Sequence, residues 1–254
     1  AAEHTLALML AMSRNIVPAC NSLKRGAWDR KKYMGNQLNG KVLGVIGLGR
    51  IGMAVAKMAK GFGMKIVGYD PLAAPPNAEK MGVEVTEELE RVFREADYIT
   101  LHVPKNKGTV DMISTEQIKL MKPGVRIVNC ARGGIVNEDA ACDALAAGKI
   151  AGVALDVYET EPPERTDRFD ESESCIVTPH LGASTEEAQI EVAVEAARIL
   201  VDAIKGGPIS NALNAPSASG KIAPTIEQYG QLAKRVGALA STIAEGKIKT
   251  VEVR

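Results

Sequence analysis

From Lys41 onward, short apolar runs alternate with longer amphipathic segments. The runs are Val42–Ile46, Lys65–Tyr69, Val83–Val85, Tyr98–Val103, Arg126–Cys130, Ala151–Leu155 and Cys175–Thr178, each of strand length. Between them, Arg50–Phe62, Thr86–Arg94, Thr115–Met121 and Asn137–Ala147 read as amphipathic helices. A parallel strand pair needs a crossover connection, and helical crossovers cover both faces of the sheet. The alternation therefore predicts an α/β fold, a doubly wound parallel sheet with helices on both faces.

The flanks read differently. Ala2 to Arg25 places Leu6, Met9, Leu10, Ser13, Ile16 and Val17 near helical spacing, with Pro18 expected to kink or restart the element. Thr185 to Lys205 predicts a long helix capped by Thr185 and followed by Gly206-Gly207-Pro208. The Pro, Ser and Ala mixture of 208–224 reads as a linker. Ile226–Ala244 is helical in pattern, and Ile248–Val253 alternates like a strand, as if opening another module. The expected organisation is one domain over 1–207 with flanking helices at about 2–25 and 185–205, then 208–254 as a linker and an incomplete C-terminal piece. The start, Ala1-Ala2-Glu3-His4, has no initiator Met and no basic n-region with a cleavage site, so the chain reads as the middle of a longer protein.

Composition narrows the function classes. Lys+Arg and Asp+Glu both total 31, so no global field recruits nucleic acid or an anionic membrane. No apolar stretch reaches the roughly 20 residues of a bilayer span. Cys20, Cys130, Cys142 and Cys175 show no C-x-x-C spacing and read as free thiols of a reducing, cytoplasmic compartment, with neither a disulfide frame nor a metal site.

The chemistry begins at Gly47-Leu48-Gly49-Arg50-Ile51-Gly52, set between a strand and a helix. In a dinucleotide turn the first glycine makes the bend, the second admits a pyrophosphate and the third lets helix pack on strand. Helix N–H groups and the macrodipole then hold the anion. Asp70 ends the next strand, where a carboxylate accepts ribose hydroxyls and repels a 2′-phosphate; Pro71 and Leu72 follow, so no adjacent Arg favours NADP. NAD is the expected cofactor, against a purely structural turn with an incidental Asp.

Arg132 follows a strand in Asn129-Cys130-Ala131-Arg132-Gly133-Gly134, where a guanidinium can grip a carboxylate bidentately. His180 lies in Thr178-Pro179-His180-Leu181-Gly182, and imidazole exchanges protons near neutral pH. Glu161, in Asp156-Val157-Tyr158-Glu159-Thr160-Glu161-Pro162, is a carboxylate able to orient that imidazole. Singly, each has a plain alternative: a surface Arg, a hydrogen-bonded structural His, a solvated acidic loop with Glu159 and Glu164. Their shared place after successive strands favours a hydride-transfer site for a 2-hydroxy or 2-oxo acid.

Leu43–Gly52, Gly68-Tyr69-Asp70-Pro71, Asn129–Val136, Ala154–Pro162 and Pro179–Thr185 together resemble the D-2-hydroxyacid dehydrogenase family over about residues 1–215. The resemblance implies a Rossmann-type NAD-binding domain and oxidation of a D-2-hydroxy acid, with a phosphorylated acid of serine synthesis as substrate. It implies Arg132 on the substrate carboxylate and His180 as acid/base paired with Glu161. Gly47, Gly49, Arg50, Ile51 and Gly52 would meet the pyrophosphate and Asp70 the ribose. Cys130, Ala131, Asp156, Gly182 and Ala183 would line the nicotinamide end beside Arg132 and His180. His102, Val103 and Pro104 would form a further NAD-contact loop, although Val103 stands where the family often has Thr, and Lys105-Asn106-Lys107-Gly108 departs from the usual pattern. Apart from that loop, His102 and His4 read as structural. The family also implies a homodimer or higher homo-oligomer using the opening helix, and a smaller substrate lobe absent from this chain. A glyoxylate or hydroxypyruvate reductase and an NADH-sensing corepressor-like scaffold are the alternative readings.

Overall fold

The computed structural model describes residues 1–72, 74–164, 166–170, 172–205, 232–239 and 242. Two compact units result, Ala1–Thr185 and Glu186–Arg254. The expected linker at 208–224 and strand at Ile248–Val253 lie outside the described residues; within the expected Ile226–Ala244 helix, 232–239 are helical.

In the first unit, seven strands form one all-parallel sheet in the order β3-β2-β1-β4-β5-β6-β7. They are β1 (Val42–Ile46), β2 (Lys65–Tyr69), β3 (Val83–Val85), β4 (Tyr98–Leu101), β5 (Val125–Asn129), β6 (Ile150–Leu155) and β7 (Cys175–Val177). The helices of this unit are α1 (Ala2–Ser13), α2 (Ile16–Lys24), α3 (Arg50–Gly61), α4 (Leu89–Glu95), α5 (Thr115–Leu120), α6 (Glu138–Ala146) and α7 (Asp167–Asp170). The long helix α8 (Glu186–Ile204) begins just after Thr185 and belongs to the second unit.

Two separate cores show why these runs had to be sheet. Leu43, Val45, Ile66, Tyr98, Val128, Ala154 and Ile176 pack with Leu6, Met9 and Met12 of α1 and Val55, Ala56 and Ala59 of α3. Their neighbours along the strands, Ile46, Val67, Ile99, Leu101, Ile127, Val153 and Leu155, pack with Val92 and Phe93 of α4, Ile118 of α5 and Ala141 of α6. Side chains alternate across a strand, so near-continuous apolar runs feed both faces.

Pro18 does not break the opening helix. The break falls at Asn15, which takes a left-handed conformation at φ 52°. Pro18 is the third residue of α2, where the backbone N–H it lacks would have had no helical partner. Asn is among the few residues that enter the left-handed region readily, because its short amide bonds locally.

The chain order places β2 on one side of β1 and β4 on the other. This reversal makes a crevice at the carboxyl ends of the strands, the place where open α/β sheets bind ligands. Every expected site residue follows a strand at that edge.

Candidate active site

The glycine turn leaves β1 at Gly47, whose φ is 94°. Gly47 N–H donates to Tyr69 O at 2.7 Å, tying the turn to the end of β2. Asp70 completes the tie: Leu48 N–H donates to Oδ2 at 2.7 Å and Leu72 N–H to Oδ1 at 3.0 Å. Asp70 therefore shapes the crevice edge.

The three glycines differ in what surrounds them. A Cβ on Gly47 would lie 2.5 Å from His102 O, and one on Gly52 would collide with the Gly47 carbonyl oxygen. Around Gly49 no atom lies within 4 Å of the Cβ position. Two glycines thus serve internal packing, while the third keeps space open on the outer side of the turn. No side chain caps α3. The amides of Arg50, Ile51 and Gly52, in the first turn of this 12-residue helix, have no partner within it. Open space before bare helix amides fits an anionic pyrophosphate.

His102 lies beneath this turn. Its Nε2 is 3.0 Å from Thr100 Oγ1, and burial pushes the imidazole down to about 4. It is neutral at physiological pH, as suits a packing role. Val103 is buried and Pro104 exposed beside it.

At the end of β5 the buried side chain of Asn129 clamps the next loop. Its Nδ2 donates to Arg132 O at 3.0 Å and its Oδ1 accepts from Ala131 N–H at 3.0 Å. The exposed Arg132 bonds Ala131 O through Nη1 at 2.7 Å. A guanidinium has five donors, so one bond leaves capacity for a carboxylate. Gly133 has no room for a side chain, since a Cβ there would strike the Tyr158 carbonyl. The Arg132 loop is thereby pressed against the loop that carries Glu161.

Glu161 and His180 meet directly: His180 Nδ1 lies 2.6 Å from Glu161 Oε2. The other carboxylate oxygen accepts from Tyr158 N–H at 3.1 Å. Burial alone would push Glu161 up, but the bonds from His180 and the Tyr158 amide outweigh it and hold the carboxyl below its ordinary value. His180 itself is half exposed at 49 % and takes a left-handed backbone at φ 54°. With Nδ1 committed to Glu161, Nε2 is the nitrogen left for proton exchange.

Asp156 holds the His180 loop from inside. It is fully buried, accepting from Leu181 N–H at 2.7 Å and Thr178 Oγ1 at 2.6 Å on Oδ1, and from Gly182 N–H at 2.8 Å on Oδ2. Tyr158 Oη donates to Thr178 O at 2.8 Å. Gly182 is buried and Ala183 follows it at the surface. Cys130 and Ala131 are buried at the same end. Burial pushes the Cys130 thiol up to about 11, so it stays protonated and is no nucleophile.

His4 Nε2, Cys130 Sγ and an Asp156 oxygen lie within 4.8 Å of one another. Both Asp156 oxygens already accept donors from the 178–182 loop, and His4 Nε2 lies against Oδ1, so within this group His4 and Asp156 are held by hydrogen bonds. Sequence reasoning assigned no role to Asn129, Tyr158 or Thr178, although all three stand inside the quoted motifs. His4, 152 residues from Asp156, offers no local signal.

These features define a Rossmann domain of the coenzyme-binding class with a hydrogen-bonded imidazole–carboxylate pair at its mouth. The chain belongs to the D-isomer specific 2-hydroxyacid dehydrogenase, NAD binding domain family, whose model matches residues 6–182. It is 46 % identical over 252 residues to D-3-phosphoglycerate dehydrogenase of Methanocaldococcus jannaschii, covering 99 % of this chain and 48 % of that protein. With the enzyme of the same name from Synechocystis sp. it shares 43 % over 253 residues, covering 100 % of this chain and 45 % of that protein. The chain spans about half the length of the curated relatives it matches. Among solved structures, D-lactate dehydrogenase from Aquifex aeolicus with NAD and lactic acid superposes with a TM-score of 0.73 at 33 % identity, covering 81 % of this chain and 66 % of that one. The pyruvate reductase of Chlamydomonas reinhardtii gives a TM-score of 0.76 at 31 % identity, covering 83 % and 67 %.

Proposed function

We propose that this chain is the coenzyme-binding part of an NAD-dependent D-3-phosphoglycerate dehydrogenase, oxidising 3-phospho-D-glycerate to 3-phosphohydroxypyruvate in L-serine synthesis. The observation that carries the chemistry is the 2.6 Å pairing of His180 with Glu161, on a loop pressed against that of Arg132. The choice of substrate is supported by the relatives, which match this chain over nearly all its length.

When NAD is bound, its nicotinamide supplies the acceptor for the hydride leaving C2 of the substrate. The alcohol proton goes to His180 Nε2, and in the reverse direction the same nitrogen returns it to the carbonyl oxygen. Ionised Glu161 fixes the tautomer and stabilises the imidazolium, while Arg132 holds the carboxylate so that C2 faces the crevice. The amides of Arg50 and Ile51 receive the pyrophosphate and Asp70 the ribose. His102–Pro104, Cys130, Ala131, Asp156, Gly182 and Ala183 form the remaining walls.

The substrate's phosphate contacts are assigned to a lobe outside this chain, so the chain alone is expected to bind NADH and turn over poorly. Closure by a second lobe excludes water and completes the site. The test is NADH consumption by the full-length protein offered 3-phosphohydroxypyruvate, hydroxypyruvate and glyoxylate. Preference for the phosphorylated acid supports the proposal, and preference for an unphosphorylated one makes it a reductase. NADH binding with no turnover favours a corepressor-like scaffold.

The Glu161–His180 pair predicts an acid limit. A carboxyl held below its ordinary 4.5 stabilises the fold at higher pH and loses that contribution as pH falls through its lowered value. The melting-temperature gap between wild type and Glu161→Gln should therefore be full near neutrality and vanish in acid. A gap constant from pH 7 to about 3 would remove the ionised pair from the account.

A homodimer is proposed through the α2 region, where Ile16 at 55 %, Leu23 at 55 %, Trp28 at 75 % and Met34 at 79 % are exposed. Trp28→Ala is expected to weaken association by about 2 kcal/mol, roughly 30-fold, by sedimentation. Unchanged association would place the interface elsewhere. A cytoplasmic location is supported by the spacing of the four cysteines, which forms no C-x-x-C pair. Among the described residues no helix is long and apolar enough to cross a membrane.

A further inference from the structure

His4 stands on the first turn of α1, far in sequence from the loop that presents His180. Its Nε2 lies 3.1 Å from Thr178 Oγ1 and 3.2 Å from Asp156 Oδ1. The Thr178 hydroxyl donates to Asp156 Oδ1 at 2.6 Å, so its lone pairs face His4. An ionised Asp offers acceptors only, and both contacts therefore require His4 Nε2 to carry a hydrogen. Asp156 is wholly buried, and a buried carboxylate is costly unless its lone pairs are filled. The Leu181 and Gly182 amides and the Thr178 hydroxyl come from the His180 loop itself. His4 is the donor to Asp156 that comes from a different element. The loop it braces is strained, with His180 in the left-handed region, a conformation that persists only where surroundings over-determine it.

We propose that His4 is a positioning residue: through Asp156 and Thr178 it latches α1 to the 178–182 loop and sets the pose of His180 against Glu161. The kinetic half of this inference rests on the proposed dehydrogenase function; the structural half does not. His4→Leu removes the donor and keeps apolar bulk, whereas His4→Gln places an amide N–H near the original Nε2. Thr178→Val deletes the shared hydroxyl at similar volume and gives a second route should His4→Leu fail to fold.

The first readout is the ring-proton NMR spectrum of the cofactor-free chain, whose three histidines are few enough to assign by substitution. His4→Leu and Thr178→Val should shift or broaden the His180 signals, and His4→Gln should leave them near wild type. Wild-type His180 signals in both disruptive variants would overturn the latch. The second readout is steady-state kinetics in the full-length protein. His4→Leu should lower kcat by roughly 10- to 100-fold, a larger change than in KM for NADH, and His4→Gln should recover most of the loss. An unchanged kcat, or equal loss in both His4 variants, would overturn it. A wild type inactive on every 2-oxo acid would instead count against the dehydrogenase reading, and the NMR result alone would then decide the latch.

Discussion

On the dehydrogenase function proposed above, replacing His180 with Asn is expected to lower kcat of the full-length protein by about 10²- to 10⁴-fold, the usual worth of a positioned general acid or base. Asn is the informative substitute for a conformational reason. His180 sits at φ 54°, in the left-handed region, where Asn is tolerated and Ala adds strain of about 1–2 kcal/mol. The Asn amide can also still donate toward Glu161, so the loop keeps an anchor while losing the group that exchanges a proton. NADH affinity, read by fluorescence titration, should fall far less than kcat because the glycine turn and Asp70 are untouched. Loss of kcat with intact NADH binding would separate chemistry from cofactor capture. A variant retaining wild-type kcat would remove His180 from the proton path and reopen the scaffold reading.

The second large effect comes from the glycine turn, through a contrast between two single-methyl changes. At Gly52 a Cβ would collide with the Gly47 carbonyl oxygen, so Gly52→Ala must push α3 away from β1. Overpacking of this kind costs about 1–3 kcal/mol, and the displaced helix amides should no longer meet a pyrophosphate. At Gly49 the same methyl enters open space, so Gly49→Ala should melt near the wild-type temperature. Its methyl nonetheless occupies the side from which an anion approaches the α3 amides, and NADH affinity should fall by at least tenfold, about 1.4 kcal/mol. Calorimetry on both variants with NADH titration checks this pair. If Gly49→Ala binds NADH like wild type, the pyrophosphate does not lie over Gly49.

Much of the sheet was readable because its causes are local. A strand buried on both faces must be apolar almost throughout, and the central β1 falls on the expected residues. The Arg132, Glu161 and His180 candidates were visible because an open parallel sheet gathers its loops at one edge. The choice of Glu161 over Glu159 and Glu164 as the partner of His180 came from the family resemblance, since the sheet brings that whole loop to the same edge. The opening helix shows the limit. Pro18 was the obvious breaker, yet the chain turns at Asn15, since proline in a first helical turn costs nothing that the turn had not already lost.

The sequence by itself determined the alternation of strand and helix, the parallel sheet, the glycine turn and the residue types available at the crevice. Each depends on neighbours a few positions away, through periodicity or backbone freedom. Only the tertiary structure decided which strand faces feed which core, and that Gly49 guards open space while Gly47 and Gly52 serve packing. It also decided that buried Asp156 is satisfied in part by His4, 152 residues distant. A buried charge must find donors wherever the fold brings them, and no local pattern records that requirement.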